Sequence, residues 1–259
     1  MQQQERCLWL IRELLREMPQ FGGTEIPALP PRRWQLLRSL MNVRPPMPVS
    51  EEFLRIQDEY LRTMTGEKGV VDASSLPPCP RDGRLVLWQG DITTLRCDAI
   101  VNAANSGLLG CFSPCHGCID NIIHTMAGVQ LRLACDRLMR QQGHEEPTGL
   151  AKITPGFDLP AKYVLHTVGP IVDGPLTEEH EGLLASCYRA CLDLAGERGI
   201  TSVAFCCIST GVFRFPADRA AQIAVSTVRD WLDEKNSAMR VVFNVFKDSD
   251  LAIYRALLG

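Results

Sequence analysis

From Arg84 onward, short runs of nearly unbroken apolar residues alternate with longer segments of helical periodicity, and this alternation restricts the fold more than any other feature. The runs are RLVLW (84–88), CDAIVN (97–102), YVLHTV (163–168), SVAFCCI (202–208) and RVVFNVF (240–246). They are rich in β-branched and aromatic residues, and they lack the apolar–polar alternation of a half-exposed strand. Each therefore reads as a strand buried on both faces. Ile119 to Gln141, Glu179 to Arg198, Ala217 to Lys235 and Ser249 to Leu258 read as the covering helices. Strands alternating with helices predict a layered α/β fold with mostly parallel strands.

The first eighty residues follow another rule. They hold ten of the seventeen prolines and balance ten basic against ten acidic side chains. Three helices are expected between the prolines: Arg6 to Met18, Arg32 to Met41, and Glu51 to Thr65 behind a Ser50 N-cap with acids in the first turn. In the third, Phe53, Ile56, Tyr60 and Met64 share one face, which must bury against something. We divide the chain into a helical extension, residues 1–80, and a main domain, residues 81–259. So short an extension would be marginal alone and is expected to dock.

Composition removes several function classes. Lys and Arg number 27 against 30 Asp and Glu, a net charge of −3, so no bulk positive field exists to neutralise a phosphate backbone and no nucleic-acid partner is expected. No window approaches the ~18 apolar residues of a membrane span, and the charged first residues do not read as a signal peptide. Eleven cysteines, an odd number, read as reduced thiols, which points to a cytoplasmic protein and not to a disulfide framework.

Ligands of open α/β sheets bind beyond the carboxyl ends of the strands. Gly90-Asp91-Ile92-Thr93, Asn102-Ala103-Ala104-Asn105, Ser209-Thr210-Gly211-Val212-Phe213 and Phe246 occupy such places. Alone each is weak, because an Asp there is often a turn or N-cap residue and an Asn pair often only caps a bend. Together GDIT, VNAAN with SGLLG, IHTMAG and ISTGVF resemble, in order and spacing, the signatures of the macrodomain family, the ADP-ribose-binding fold, over about Leu85 to Leu258. The resemblance implies a three-layer α/β/α macrodomain with a mixed, mostly parallel central sheet, carrying an N-terminal helical extension. It also implies that Asp91 and the Ile92 backbone meet the adenine amino edge and that Phe246 stacks on the base. Ser209, Thr210, Gly211, Val212 and Phe213 would surround the pyrophosphate, and Asn102 and Asn105 would face the distal ribose.

The stretch Cys111-Phe112-Ser113-Pro114-Cys115-His116-Gly117-Cys118 places three thiols and an imidazole within eight residues. These are the ligand types Zn²⁺ prefers, though reduced structural cysteines are the alternative. The loop resembles that of the zinc-containing macrodomain subclass, whose Cys-x4-His-x-Cys pattern is met by Cys111, His116 and Cys118. That implies one Zn²⁺ per chain with an open position. Cys115 falls outside the pattern, as an unneeded thiol or an alternative ligand. Asp120 holds the place of the acid that works beside the second Asn in hydrolytic macrodomains. Otherwise it is a helix N-terminal acid favoured by the macrodipole. His124 and His166 read as core or hydrogen-bonding histidines, and Cys206 and Cys207 as inert thiols within a strand.

The function implied is zinc-dependent hydrolysis that removes ADP-ribose from mono-ADP-ribosylated proteins, ester-linked on Asp or Glu, with Asp120 and Asn105 as the catalytic pair. The alternatives are a non-hydrolytic ADP-ribose-binding module and an O-acetyl-ADP-ribose deacetylase. By resemblance alone, the modified partner is a lipoyl carrier protein acted on by a sirtuin-like transferase.

Overall fold

The computed structural model describes all 259 residues. In chain order the helices are α1 (Gln3–Glu17), α2 (Pro30–Val43), α3 (Glu51–Lys68), α4 (Ile119–Ala127), α5 (Val129–Gln142), α6 (Glu178–Glu197), α7 (Ala217–Glu234) and α8 (Asp248–Leu258). The strands are β1 (Val71–Asp72), β2 (Leu85–Gln89), β3 (Leu95–Arg96), β4 (Ala99–Ala104), β5 (Ala151–Pro155), β6 (Tyr163–Val168), β7 (Ser202–Phe205) and β8 (Arg240–Val245). Six of them form one sheet in the order β2-β8-β7-β4-β6-β5, while β1 and β3 pair separately. Every pairing in the large sheet is parallel except β5 with β6. The architecture is the α/β layering with mostly parallel strands that the apolar runs predict, and the antiparallel β5 makes the sheet mixed, as the resemblance implies.

Local chemistry fixes the extension. Pro30 and Pro31 open α2, where a missing N–H costs nothing. The Ser50 hydroxyl accepts from Phe53 N at 3.1 Å and starts α3. Phe53, Ile56 and Tyr60 bury their shared face against α1 and α2 in a cluster that includes Leu10, Ile11, Leu14 and Leu37. The face closes a core inside the extension that also takes in Val129 of α5, while Met64 and Trp34 pack against both cores, and polar groups add to this docking. The Arg132 guanidinium donates to the carbonyls of Met41, Asn42 and Arg44 at the end of α2. Gln57 Oε1 accepts from Val129 N at 3.0 Å, and Arg62 pairs with buried Asp158 at 3.0 Å. The larger core, 51 buried residues from Ala73 to Leu258, lies on both faces of the sheet.

Three expectations change. The single helix from Ile119 to Gln141 is two, broken at Gly128, whose φ is +86°. A Cβ there would come within 2.4 Å of the Gln57 amide, so the extension occupies the space that a continuous helix needs. Strand β5, AKITP, is absent from the predicted set because a lysine and a terminal proline mark it as an edge. The run SVAFCCI stops pairing at Phe205, so Cys206 and Cys207 lie past the strand. Burial pushes the Cys206 thiol up to about 12 and raises that of Cys207, which keeps both inert.

Candidate active site

The carboxyl ends of β2, β4, β7 and β8 carry the residues singled out by sequence. After β2, Asp91 caps a short 3-10 turn, with Oδ1 accepting from Thr93 N (3.0 Å) and Thr93 Oγ1 (2.6 Å). Its Oδ2 accepts from Lys68 Nζ of the extension at 3.0 Å. Burial raises the Asp91 carboxyl, but the Thr93 hydrogen bonds and the Lys68 ammonium outweigh this and hold it below the usual carboxylate range. The Ile92 N–H, at the first position of the turn, has no partner within it. Phe246, just past β8, is 76% exposed, an aromatic face held out to solvent at the same sheet edge.

Beyond β7 the loop turns through Ser209 at φ +64°, a conformation few non-glycine residues adopt. Gly169 makes room for it, because a Cβ there would stand 2.1 Å from Ser209 Oγ. The Thr210 hydroxyl is tied back to Cys207 O. The amides of Gly211, Val212 and Phe213 donate to no protein acceptor, which leaves three successive N–H groups free.

Strand β4 ends at the centre of the sheet, and there the polar groups converge. Asn105 Oδ1 accepts from Gly107 N (3.1 Å), while its Nδ2 donates to Gly110 O (3.1 Å) and to Asp120 Oδ2 (3.2 Å). Asn102, expected to face the distal ribose, is instead fully buried, because it lies within β4, short of its carboxyl end. Its amide donates to Asp120 Oδ1 at 2.8 Å and meets His166 Nδ1 at 3.2 Å, so it holds the acid from beneath. Asp120 is 4% exposed. Burial pushes its carboxyl up to about 6, against the Asn102 hydrogen bond and the Arg132 charge, which both lower it.

Cys111, His116 and Cys118 bring their ligand atoms within 4.8 Å of one another. Cys111 Sγ lies 3.6 Å from His116 Nδ1, and Cys118 is the N-cap of α4. Two thiols and one imidazole at this spacing fit a tetrahedral, thiophilic cation such as Zn²⁺. Burial pushes the Cys118 thiol up to about 11 despite the Asn121 N–H directed at its sulfur, so without a cation it stays protonated at neutral pH. Cys115 is outside the group. With φ at +53° its sulfur turns to α2, 3.3 Å from Gln35 O and 3.2 Å from Ser39 Oγ.

His124, Cys135 and His166 form a second close group, wholly buried. The His166 ring nitrogens are occupied by Thr154 Oγ1 (2.9 Å) and Asn102, and burial lifts the Cys135 thiol to about 12, so this group is part of the core. Sequence reasoning missed Lys68, Arg38, Asn121 and Arg132. Only Asn121, an amide in the first turn after the cysteines, carries a local signal.

The chain belongs to the Macro domain family, which matches residues 101–224. A Treponema medium protein named Protein-ADP-ribose hydrolase is 58% identical, over 100% of each chain. The Trypanosoma brucei macrodomain in complex with ADP-ribose superimposes with a TM-score of 0.67 at 31% identity, covering 86% of this chain and 95% of that one. The Oceanobacillus iheyensis macrodomain with ADP gives 0.61 at 40% identity, covering 66% and 88%. No helix of the chain is long and apolar enough to cross a membrane.

Proposed function

We propose that the chain is a hydrolase that releases ADP-ribose from mono-ADP-ribosylated proteins, ester-linked on Asp or Glu, with Zn²⁺ held by Cys111, His116 and Cys118. One observation carries the reading: the donor cluster and the acid are contiguous. Cys118 caps the helix whose first turn contains Asp120, and Asn105 joins Asp120 to the Gly110 carbonyl at the start of the cysteine loop. Three protein donors leave one position of a tetrahedral ion open, the arrangement of catalytic zinc. An ion held by Cys111, His116 and Cys118 would supply Lewis-acid chemistry at neutral pH.

The chain's own residues bind and orient the rest. Phe246 stacks on adenine, and Asp91 with the Ile92 N–H meets its amino edge. The free amides of Gly211, Val212 and Phe213 take the pyrophosphate. Asn105, fixed at both ends of its amide, positions the ribose. Asp120, whose carboxyl burial raises above the usual carboxylate range toward that of a general base, accepts the proton of the attacking water. A binding module needs only the cradle, so a carboxylate beside a metal loop supports hydrolysis, as does the name carried by the Treponema medium relative. A lipoyl carrier protein labelled by a sirtuin-like transferase is the substrate that the resemblance assigns.

Asp120→Ala separates the readings. Release of radiolabelled ADP-ribose from modified protein is expected to fall by ~10²–10⁴, while calorimetry finds ADP-ribose affinity retained and zinc content is unchanged. Equal turnover in variant and wild type removes Asp120 from the chemistry. A zinc-loaded wild type with no turnover identifies a reader.

A further inference from the structure

The cysteine loop does little to hold its own shape. Within residues 111–118 the one backbone–backbone hydrogen bond is His116 N to Ser113 O, at 3.2 Å, so the positions of the three donors are set from outside. Two residues do this. Asn121, fully buried in the first turn of α4, donates its side-chain amide to Cys111 O (3.2 Å) and Ser113 O (2.9 Å), and its backbone N–H to Cys118 Sγ (3.4 Å). Arg38, on α2 of the extension, donates through Nη2 to His116 O at 2.7 Å. The same guanidinium reaches Asn121 Oδ1 through Nε (3.3 Å) and Nη2 (2.7 Å). Every donor residue is thereby held by one member of a single pair. Asn42, one turn further along α2, completes the clamp: its Oδ1 accepts from Cys115 N (2.9 Å) and its Nδ2 donates to Thr125 Oγ1 (3.0 Å).

We propose that Arg38 and Asn121 are positioning residues that retain the metal, so that the N-terminal extension governs how tightly the catalytic loop keeps its ion. The proposal rests on the metal reading above. Ordering a loop residue costs backbone entropy, and a loop already ordered by these contacts presents its donors without that cost at binding. Groups that orient metal ligands without touching the ion typically change affinity by about 10–100-fold when removed. Arginine is specifically suited here, because its planar fork meets the His116 carbonyl and the Asn121 oxygen together, which a lysine ammonium on its flexible stem does not.

The test is zinc transfer from the full chain to a chromogenic chelator, with Co²⁺ substitution as a spectroscopic report on donor geometry. Arg38→Ala and Asn121→Ala are expected to weaken zinc retention about 10–100-fold and to alter the Co²⁺ absorption. ADP-ribose affinity, set at the far end of the cleft, should be unchanged. Arg38→Lys is expected to restore retention only in part. Arg6→Ala serves as control, because Arg6 pairs with Glu59 inside the extension at 2.7 Å and is not bonded to the loop. Retention by Arg38→Ala equal to wild type overturns the proposal, and so does equal zinc loss in Arg6→Ala, which would mean general loosening of the extension. A wild-type chain that binds no added zinc overturns the metal reading and this inference with it.

Discussion

Asp91 is drawn in two directions, toward the turn that it caps and toward Lys68 of the extension, and both contacts keep the carboxylate ionised and aimed across the end of β2. Removing it leaves the adenine amine of a bound ADP-ribose without an acceptor. Asp91→Ala is accordingly expected to weaken ADP-ribose binding by about 1–3 kcal/mol, read by calorimetry. Unchanged affinity would take Asp91 out of the site. At this scale legibility follows sequence distance. Asp91, Asn105, Cys111, His116, Cys118 and Asp120 stand in short motifs, and it is the family resemblance of those motifs that implies their roles. Arg38 is bonded to a residue 83 positions away, and Lys68 to one 23 away, with no pattern in either segment to announce it. Asn102 shows the converse: it belongs to a legible motif, but only the burial of β4 reveals that it supports the acid and does not line the cleft.

At the scale of elements, the strands that became parallel and central were readable because burial on both faces demands continuous apolar residues. Edge strand β5 has no such demand on it and leaves a weak pattern. The break between α4 and α5 was hidden for another reason, since the periodicity runs through Gly128, where the side chains of Gln57 from the extension, Gln130 and Asp158 all crowd the turn. Gly128→Ala must therefore strain a +86° backbone and displace Gln57, and a loss of more than about 1 kcal/mol is expected in urea unfolding, above the ordinary helix-propensity gain of alanine. A variant as stable as wild type would show that this junction tolerates a side chain. The cysteine loop belongs to the same scale. Its sequence shows the clustered thiols and imidazole, but the clamp by α2 arises only when the extension docks.

For the whole molecule, the imidazoles of His124 and His166, both buried in the main domain, make one contribution to stability that acid removes. Burial lowers the His166 imidazole from its ordinary 6.5 to about 3, and burial, the neighbouring His166 and Arg132 lower His124 well below its usual value. Both rings are neutral when folded. Unfolding frees them to bind protons, so this contribution is fully present above about pH 6.5 and is lost as pH falls toward the folded values. The slope for one such ring is at most about 1.4 kcal/mol per pH unit. His166→Gln should flatten the fall in urea-unfolding stability between pH 7 and pH 5, and identical slopes would show that His166 titrates alike in both states. Whether the cysteine loop and the acid of α4 form one hydrolytic centre is decided by ADP-ribose release from modified protein before chelation, after chelation and after zinc is returned. Release is expected, then its loss with ADP-ribose still bound, then its recovery in wild type but not in Cys118→Ala. Release that persists through complete zinc removal would contradict a single centre.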